Sequence, residues 1–183
     1  MNMISRIFSW LQIRFGNFTN DQRGISTVEF VIILPVMLTV ALSGHEVTSA
    51  LSAKSKVEHA TAVIGDLASQ TEVLTEADII GIFEGAKAMV YPYPNGNLRI
   101  TIAGIAFDNN EDPTIAWQRS MHGGAPINLA AIPDAISQPN AFIVMASMEY
   151  SYTPAFGNGI VGSVVFDEIS ITHPRKSKIV GIE

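Results

Sequence analysis

The sequence predicts an α+β protein with one long N-terminal helix, a second helix and a roughly four-stranded antiparallel sheet. Three observations lead to this prediction. An apolar stretch fills residues 25–44. Helical periodicity of apolar side chains continues from there to about residue 69. From Leu98 onward, short segments alternate apolar and polar side chains, which is typical of half-buried strands.

The composition favours one compact domain with an appendage. The 183 residues are 48% hydrophobic and 15% charged, which argues against intrinsic disorder. There is no cysteine, which excludes disulfides, thiolate metal sites and a Cys nucleophile. Residues 1–24 carry three arginines and one aspartate, which leaves 8 basic and 16 acidic side chains to the rest. This asymmetry predicts a membrane-inserted chain with a cytoplasmic N-terminus, and the acidic body argues against nucleic-acid binding.

The apolar stretch Ile25–Gly44 has the length of a transmembrane helix. At 1.5 Å per residue it spans about 30 Å, and Glu29 is its one ionisable residue. A buried core helix fits less well, because a basic head precedes the stretch and charge returns abruptly at His45. Three membrane interpretations remain. They are a secretory signal peptide cut before Gly44, an uncleaved signal anchor, and a prepilin-type signal cut before the apolar run.

The junction of the basic head and the apolar run favours the third interpretation. Arg23-Gly24-Ile25, followed by Glu29 and Phe30, resembles the site that prepilin peptidases cut. The resemblance implies a cut between Gly24 and Ile25, so that Glu29 becomes the fifth and Phe30 the sixth residue. A carboxylate at this membrane depth is costly unless it is paired. The new α-amine of Ile25, about one helical turn away, can neutralise it.

The helical pattern continues beyond the apolar stretch as an amphipathic stalk. One helix is predicted from Ile25 to Ser69, roughly 65 Å long. The stalk positions expected to be buried are Val47, Ala50, Leu51, Val57, Ala60, Ile64, Leu67 and Ala68. Thr75-Glu76-Ala77-Asp78 predicts a capping box and a second helix that ends near Tyr91. This second helix is expected to bury Ile79, Ile80, Phe83, Ala86, Met89 and Val90.

Four strands are predicted after the second helix. They lie at Leu98–Ile102, around Ile115–Arg119, at Phe142–Tyr152 and at Val164–Thr172. The stretch 122–140 is expected to be a surface connection with one short helical turn at Ala131–Ser137. Trp117, Tyr150 and Tyr152 fill the core or line an interaction surface, and core positions are the commoner case for strand aromatics.

Later motifs extend the resemblance to a family. The motifs follow one another in the order Leu34-Pro35-Val36, Trp117-Gln118-Arg119, Tyr150-x-Tyr152-x-Pro154 and Pro174-Arg175. With the cleavage site they resemble the TadE-like and TadF-like minor pilins of the tight-adherence (Flp) pilus system, over residues 20 to 176. The resemblance implies processing by prepilin peptidase and a supporting role in assembling adhesive pili. It also implies partners among pilin and minor pilin subunits, the inner-membrane secretion platform and the lipid bilayer.

The resemblance also implies how the chain is divided. Residues 1–24 would be a cytoplasmic leader, 25–44 a single inner-membrane span, 45–70 the stalk and 71–183 a periplasmic or extracellular domain. Gly24 and Ile25 would flank the cut, and Glu29, followed by Phe30, would be the assembly carboxylate. The leader is long for such a signal, and Ile25 stands where Phe or Met is common. These departures concern methylation of the new N-terminus more than cleavage.

No constellation for enzymatic chemistry emerges from the sequence. We expect no catalytic residues, no cofactor and no metal site. His45 and His59, on the stalk, are about 21 Å apart along a helix and cannot share a metal. Asp108–Asp112 resembles the start of a calcium loop, but Pro113 and Arg119 replace its required Gly and Glu, so a hairpin turn is expected. The alternative function from another class is an anchored or secreted ligand-binding domain with no pilus role.

Overall fold

A long helix, α1 (Ile25–Ser69), dominates the N-terminal part of the protein. The computed structural model describes residues 25–124, 127–156 and 162–183, so the predicted leader and Gly24 lie outside the described residues. The chain consists of two compact units, Met1–His45 and Glu46–Glu183. The helix runs from the first unit into the second without a break, with the bounds that the sequence predicted. Pro35 lies inside α1 and does not end it.

A second helix, α2 (Glu76–Val90), follows a two-residue strand, β1 (Val73–Leu74). The predicted capping box is present. The Asp78 backbone N–H donates to the Thr75 hydroxyl, and the Thr75 backbone N–H donates to the Asp78 carboxylate. These bonds satisfy two N–H groups that would otherwise lack partners at the start of a helix. The Thr75 hydroxyl also donates to the Asp78 carboxylate, at 2.7 Å. This bond first, and the bond from the Thr75 backbone N–H second, lower the pKa of Asp78.

The second unit also contains a four-stranded antiparallel sheet. Its strands are β2 (Leu98–Phe107), β3 (Pro113–Met121), β4 (Phe142–Tyr152) and β5 (Val164–Thr172), and they lie in the order β3-β2-β4-β5. The strand β2 is longer than predicted, and β4 and β5 have the predicted bounds. A last strand, β6 (Gly181–Ile182), pairs in parallel with β1. The α+β class is therefore confirmed.

One face of the sheet carries the two helices. Alternate side chains of β2 and β4 pack there against α1 and α2 in one large buried cluster. On α1 the buried apolar positions recur every three or four residues, and they are Ala53, Val57, Ala60, Ile64 and Ala68. Small residues allow α1 to lie close to the strands. A Cβ added at Gly65 would stand 3.3 Å from the Ser170 hydroxyl and 3.5 Å from the Ala146 Cβ.

The other face of the sheet is partly covered by the connection between β3 and β4. This connection contains two short 3₁₀ turns, Leu129–Ala131 and Asp134–Ile136, where one turn was predicted. It is more than a surface loop, because Ile127 and Ile132 are buried against Ile105, Ile143 and Met145. The burial of these two residues could not be predicted from the sequence, because two isolated apolar residues in a polar stretch form no repeating pattern.

Several positions predicted to be buried on the helices are exposed. Val47 is 59% exposed, Leu51 is 62% exposed and Leu67 is 43% exposed. On α2, Ile80 is 60% exposed, and Ile82 is buried in its place. In each case a broad apolar stripe was predicted to be buried, and the sheet covers only a narrower part of it.

Gly104 and Trp117 are closely packed where the sheet contacts the C-terminal segment. The Trp117 indole N–H donates to the Val180 carbonyl at 2.7 Å. The ring lies over Gly104 of β2, where a Cβ would come within 2.6 Å of Phe142 Cζ. Trp117, Tyr150 and Tyr152 are all buried, so the core alternative holds for these aromatic residues.

Candidate functional site: an exposed apolar helix and its supports

The first half of α1 is an apolar surface that stays exposed in the part of the chain that the structure describes. The helix is long and apolar enough to cross a membrane, with a mean hydropathy of 2.0 over its most apolar 18 residues. No residue of that stretch is buried in the structure. A core helix of a folded domain would bury one side of such a stretch against its neighbours. This part of α1 therefore fits a single-pass membrane anchor.

One carboxylate lies near the start of this apolar surface. Glu29 is exposed, and its carboxylate has no partner among the described residues. Its neighbour Phe30 is also exposed, at 61%. Ile25 is the first residue of α1, so it lies one helical turn before Glu29. Gly24, the other residue of the predicted processing site, lies outside the described residues.

A second carboxylate, Glu46, anchors the Tyr-x-Tyr-x-Pro segment to α1. It accepts a hydrogen bond from the Tyr152 hydroxyl at 3.1 Å and another from the Phe156 backbone N–H at 2.9 Å. The Tyr93 hydroxyl donates to the Ser49 carbonyl at 2.9 Å, one turn further along the helix. Burial, and then the bond to Glu46, raise the pKa of Tyr152. Sequence reasoning missed Glu46, because its partners are more than 100 residues away.

The Pro-Arg segment (Pro174-Arg175) is bonded to the C-terminal end of α1. The Arg175 backbone N–H donates to the Ser69 carbonyl at 3.0 Å, and the Arg175 guanidinium pairs with the Asp66 carboxylate. The last carbonyls of a helix lack internal partners, so a donor at Ser69 stabilises this end. A cation also interacts favourably with the negative end of the helix dipole. Two segments that carried the family resemblance are thus the supports that hold α1 on its domain.

The other groups considered from sequence have structural surroundings. The Asp108 carboxylate accepts the backbone N–H groups of Asn110 and Asp112, which makes the predicted hairpin turn. The His122 ring lies 3.1 Å from the Leu98 carbonyl. No group of three His, Asp or Glu side chains able to hold a metal occurs in the part of the chain that the structure describes. The absence of a catalytic residue, cofactor or metal stays a prediction.

An exposed apolar helix that continues as the buried support of an α+β domain fits a membrane-anchored protein. A family model described as TadE-like protein matches residues 24–64, so this segment of the chain is similar to TadE-like proteins, which is consistent with a protein of the Tad pilus system. The match includes Gly24, the apolar stretch and the helix as far as Ile64. It contains the Leu34-Pro35-Val36 motif and does not extend to the motifs from Trp117 onward. The comparisons with curated proteins and with solved structures gave no match.

Proposed function

We propose that the protein is a minor pilin or pseudopilin that supports the assembly of adhesive Flp-type pili and performs no enzymatic reaction. The observation that supports this most is the exposed apolar half of α1, in which Glu29 is the single carboxylate of residues 25–44. It lies in the segment that is similar to TadE-like proteins. On this proposal prepilin peptidase cuts between Gly24 and Ile25, and the apolar helix stays on the mature chain.

The proposed role of Glu29 follows from its position on the helix. Cleavage would place a positively charged amine on Ile25, and helix geometry puts residues four apart on the same side. In a membrane, an unpaired carboxylate costs several kcal/mol, about 3 on insertion scales for acidic residues. Pairing with the amine of the same or a neighbouring subunit removes much of this cost. The pair would therefore help subunits to associate laterally.

The proposed surroundings follow from the same helix. The N-terminus would be cytoplasmic, α1 would cross the inner membrane, and the folded unit would be periplasmic or extracellular. Partners would be prepilin peptidase, other pilin and minor pilin subunits and the inner-membrane secretion platform. The basic residues before the span and the acidic unit after it support this orientation.

A charge-removing substitution tests the role of Glu29. Glu29→Gln keeps the shape of the side chain and removes the charge, so we expect processing to persist and pilus assembly to fall at least tenfold. Glu58→Gln is the matched control, because Glu58 is an exposed acid on the same helix beyond the apolar stretch. Pili are counted by electron microscopy, and processing is followed by the mass of the chain. Normal pili in the Glu29→Gln strain would exclude the pairing role.

The alternative is an extracytoplasmic ligand-binding domain with no pilus role. A cavity on the sheet face opposite the helices favours this alternative, but the volume of the cavity is only about 140 Å³. Sites for small molecules usually measure about 300–1,000 Å³. The cavity is therefore too small for such a ligand, and the pilin proposal is preferred.

A further inference from the structure

The small cavity lies on the sheet face opposite the helices, and Ile127 of the connection between β3 and β4 forms part of its lining. Thr101, Met145 and Ser147 form its floor, and Ile169 of β5 stands at its side. The cavity is lined by both apolar and polar surface. Its volume of about 140 Å³ is suited to a single long side chain.

Three charged residues stand in a row across the strands at this cavity. Arg99 of β2 is opposite Glu149 of β4, which is opposite Asp167 of β5. The Arg99 guanidinium lies 3.1 Å from the Glu149 carboxylate, so these two charges compensate each other. Asp167 has no ion-pair partner among the described residues, and like charges directly opposite each other destabilise a sheet. The row therefore contains two negative charges and only one positive charge.

The same chain carries cations without partners on its other side. Five basic residues form ion pairs within the second unit, and they are Lys54, Lys87, Arg99, Arg119 and Arg175. In the described part of this unit, Lys56, Lys176 and Lys178 form none. Lys176 and Lys178 are both exposed and follow Arg175 directly, in the segment that is bonded to the C-terminal end of α1.

We propose that the cavity binds the Lys176–Lys178 segment of a second copy of this chain. A lysine fits it chemically, because its alkyl stem would lie against Met145 and Ile169 while its ammonium reaches Asp167. Among the described residues neither lysine pairs with Asp167, and Arg175, directly before them, is bonded to α1, which packs on the opposite face of the sheet. Contacts between two different surfaces repeat from copy to copy, giving a ring or an open filament. The inference rests on the proposed function, since it specifies how a pilus-system subunit would associate.

Charge reversal in the full-length chain tests this contact. Association of two fluorescently labelled populations in detergent is measured by energy transfer, at low salt because exposed charges are screened. Asp167→Lys alone, and Lys176→Asp with Lys178→Asp, should each weaken association at least about tenfold, because like charges then meet. The chain that carries all three substitutions should recover association. Asp134→Lys, the same change at an exposed acid away from the cavity, is the control and should have no effect.

The outcomes separate this inference from the proposed function. Equal association of the wild-type and Asp167→Lys chains overturns the inference, and so does a triple variant as weak as either parent. Tryptophan fluorescence, to which both Trp10 and Trp117 contribute in the full-length chain, is compared with that of the wild type to confirm that each variant is folded. The two parents alter different segments, so one misfolded variant does not decide the test. Failure of the proposed function would appear separately, as a mature chain that does not begin at Ile25.

Discussion

Single residues hold α1 on its domain, and Tyr152 shows how such a contact can be measured. Tyr152 is buried, and its hydroxyl donates to the Glu46 carboxylate. Tyr152→Phe keeps the ring and removes this bond, so we expect the free energy of unfolding to fall by about 1.5–3 kcal/mol, the range for a bond to a charged group. Tyr91→Phe is the control, because Tyr91 is 74% exposed. Chemical denaturation of the detergent-solubilised chain measures both, and equal stabilities would contradict the assignment.

Gly104 is a second residue at which one atom decides the packing. Gly104→Ala would drive a methyl group into the Trp117 and Phe142 rings, so the variant should lose about 1–3 kcal/mol of stability. The emission of Trp117 should also change, because the ring and its bond to the Val180 carbonyl must move. Gly96→Ala meets no atom within 4 Å and serves as the control. An unchanged midpoint and unchanged emission for Gly104→Ala would show that this part of the sheet is less tightly packed than described.

Among the elements, α2 provides a prediction of pH dependence. The folded-state pKa of Asp78 is lowered, so its contribution to stability is complete above the unfolded pKa of about 3.9 and is lost as pH falls through the folded value. Asp78→Asn should therefore be less stable than the wild type near pH 6, and the difference should shrink in acid. Thermal unfolding from pH 6 to pH 2.5 measures this, with Glu58→Gln for comparison. A difference that grows in acid would contradict the sign.

Elements with many periods were predictable from sequence, and short or narrow contacts were not. The bounds of α1, β4 and β5 agree because each repeats its pattern over nine residues or more. The two-residue strands β1 and β6 have no period to detect. Val47 and Leu51 were wrongly predicted to be buried, because periodicity marks an apolar stripe and cannot show how much of it a sheet covers.

The candidate site also has features that could be predicted from the sequence and features that could not. The length of the apolar stretch and the isolation of Glu29 are local properties, so sequence was sufficient for both. The partners of Glu46 and the row from Arg99 to Asp167 come from distant segments that meet only when the sheet forms. Residue spacing contains no information about such contacts. The Tyr-x-Tyr-x-Pro and Pro-Arg motifs were visible in the sequence, but their role as supports of α1 was not.

At the scale of the whole molecule, one helix has two environments. Its first half exposes apolar side chains throughout, and its second half buries one side against the sheet. Hydrogen bonds from Tyr152 and Phe156 to Glu46, and from Arg175 to Ser69, lie along the second half. The proposed function needs both halves, so we expect α1 to remain intact in the mature protein. A secretory cut before Gly44 would remove the first half and leave the second.

The N-terminal residue of the mature protein, determined by mass spectrometry of the chain purified from membranes, shows where the leader ends and whether all of α1 is kept. We expect Ile25, with or without a methyl group, because the cut falls after Gly24 and the apolar helix is kept. A chain that begins at Gly44 would be a secreted protein cut by signal peptidase. A chain that begins at Met1 would be an uncleaved anchor. Either of these N-termini would exclude processing after Gly24.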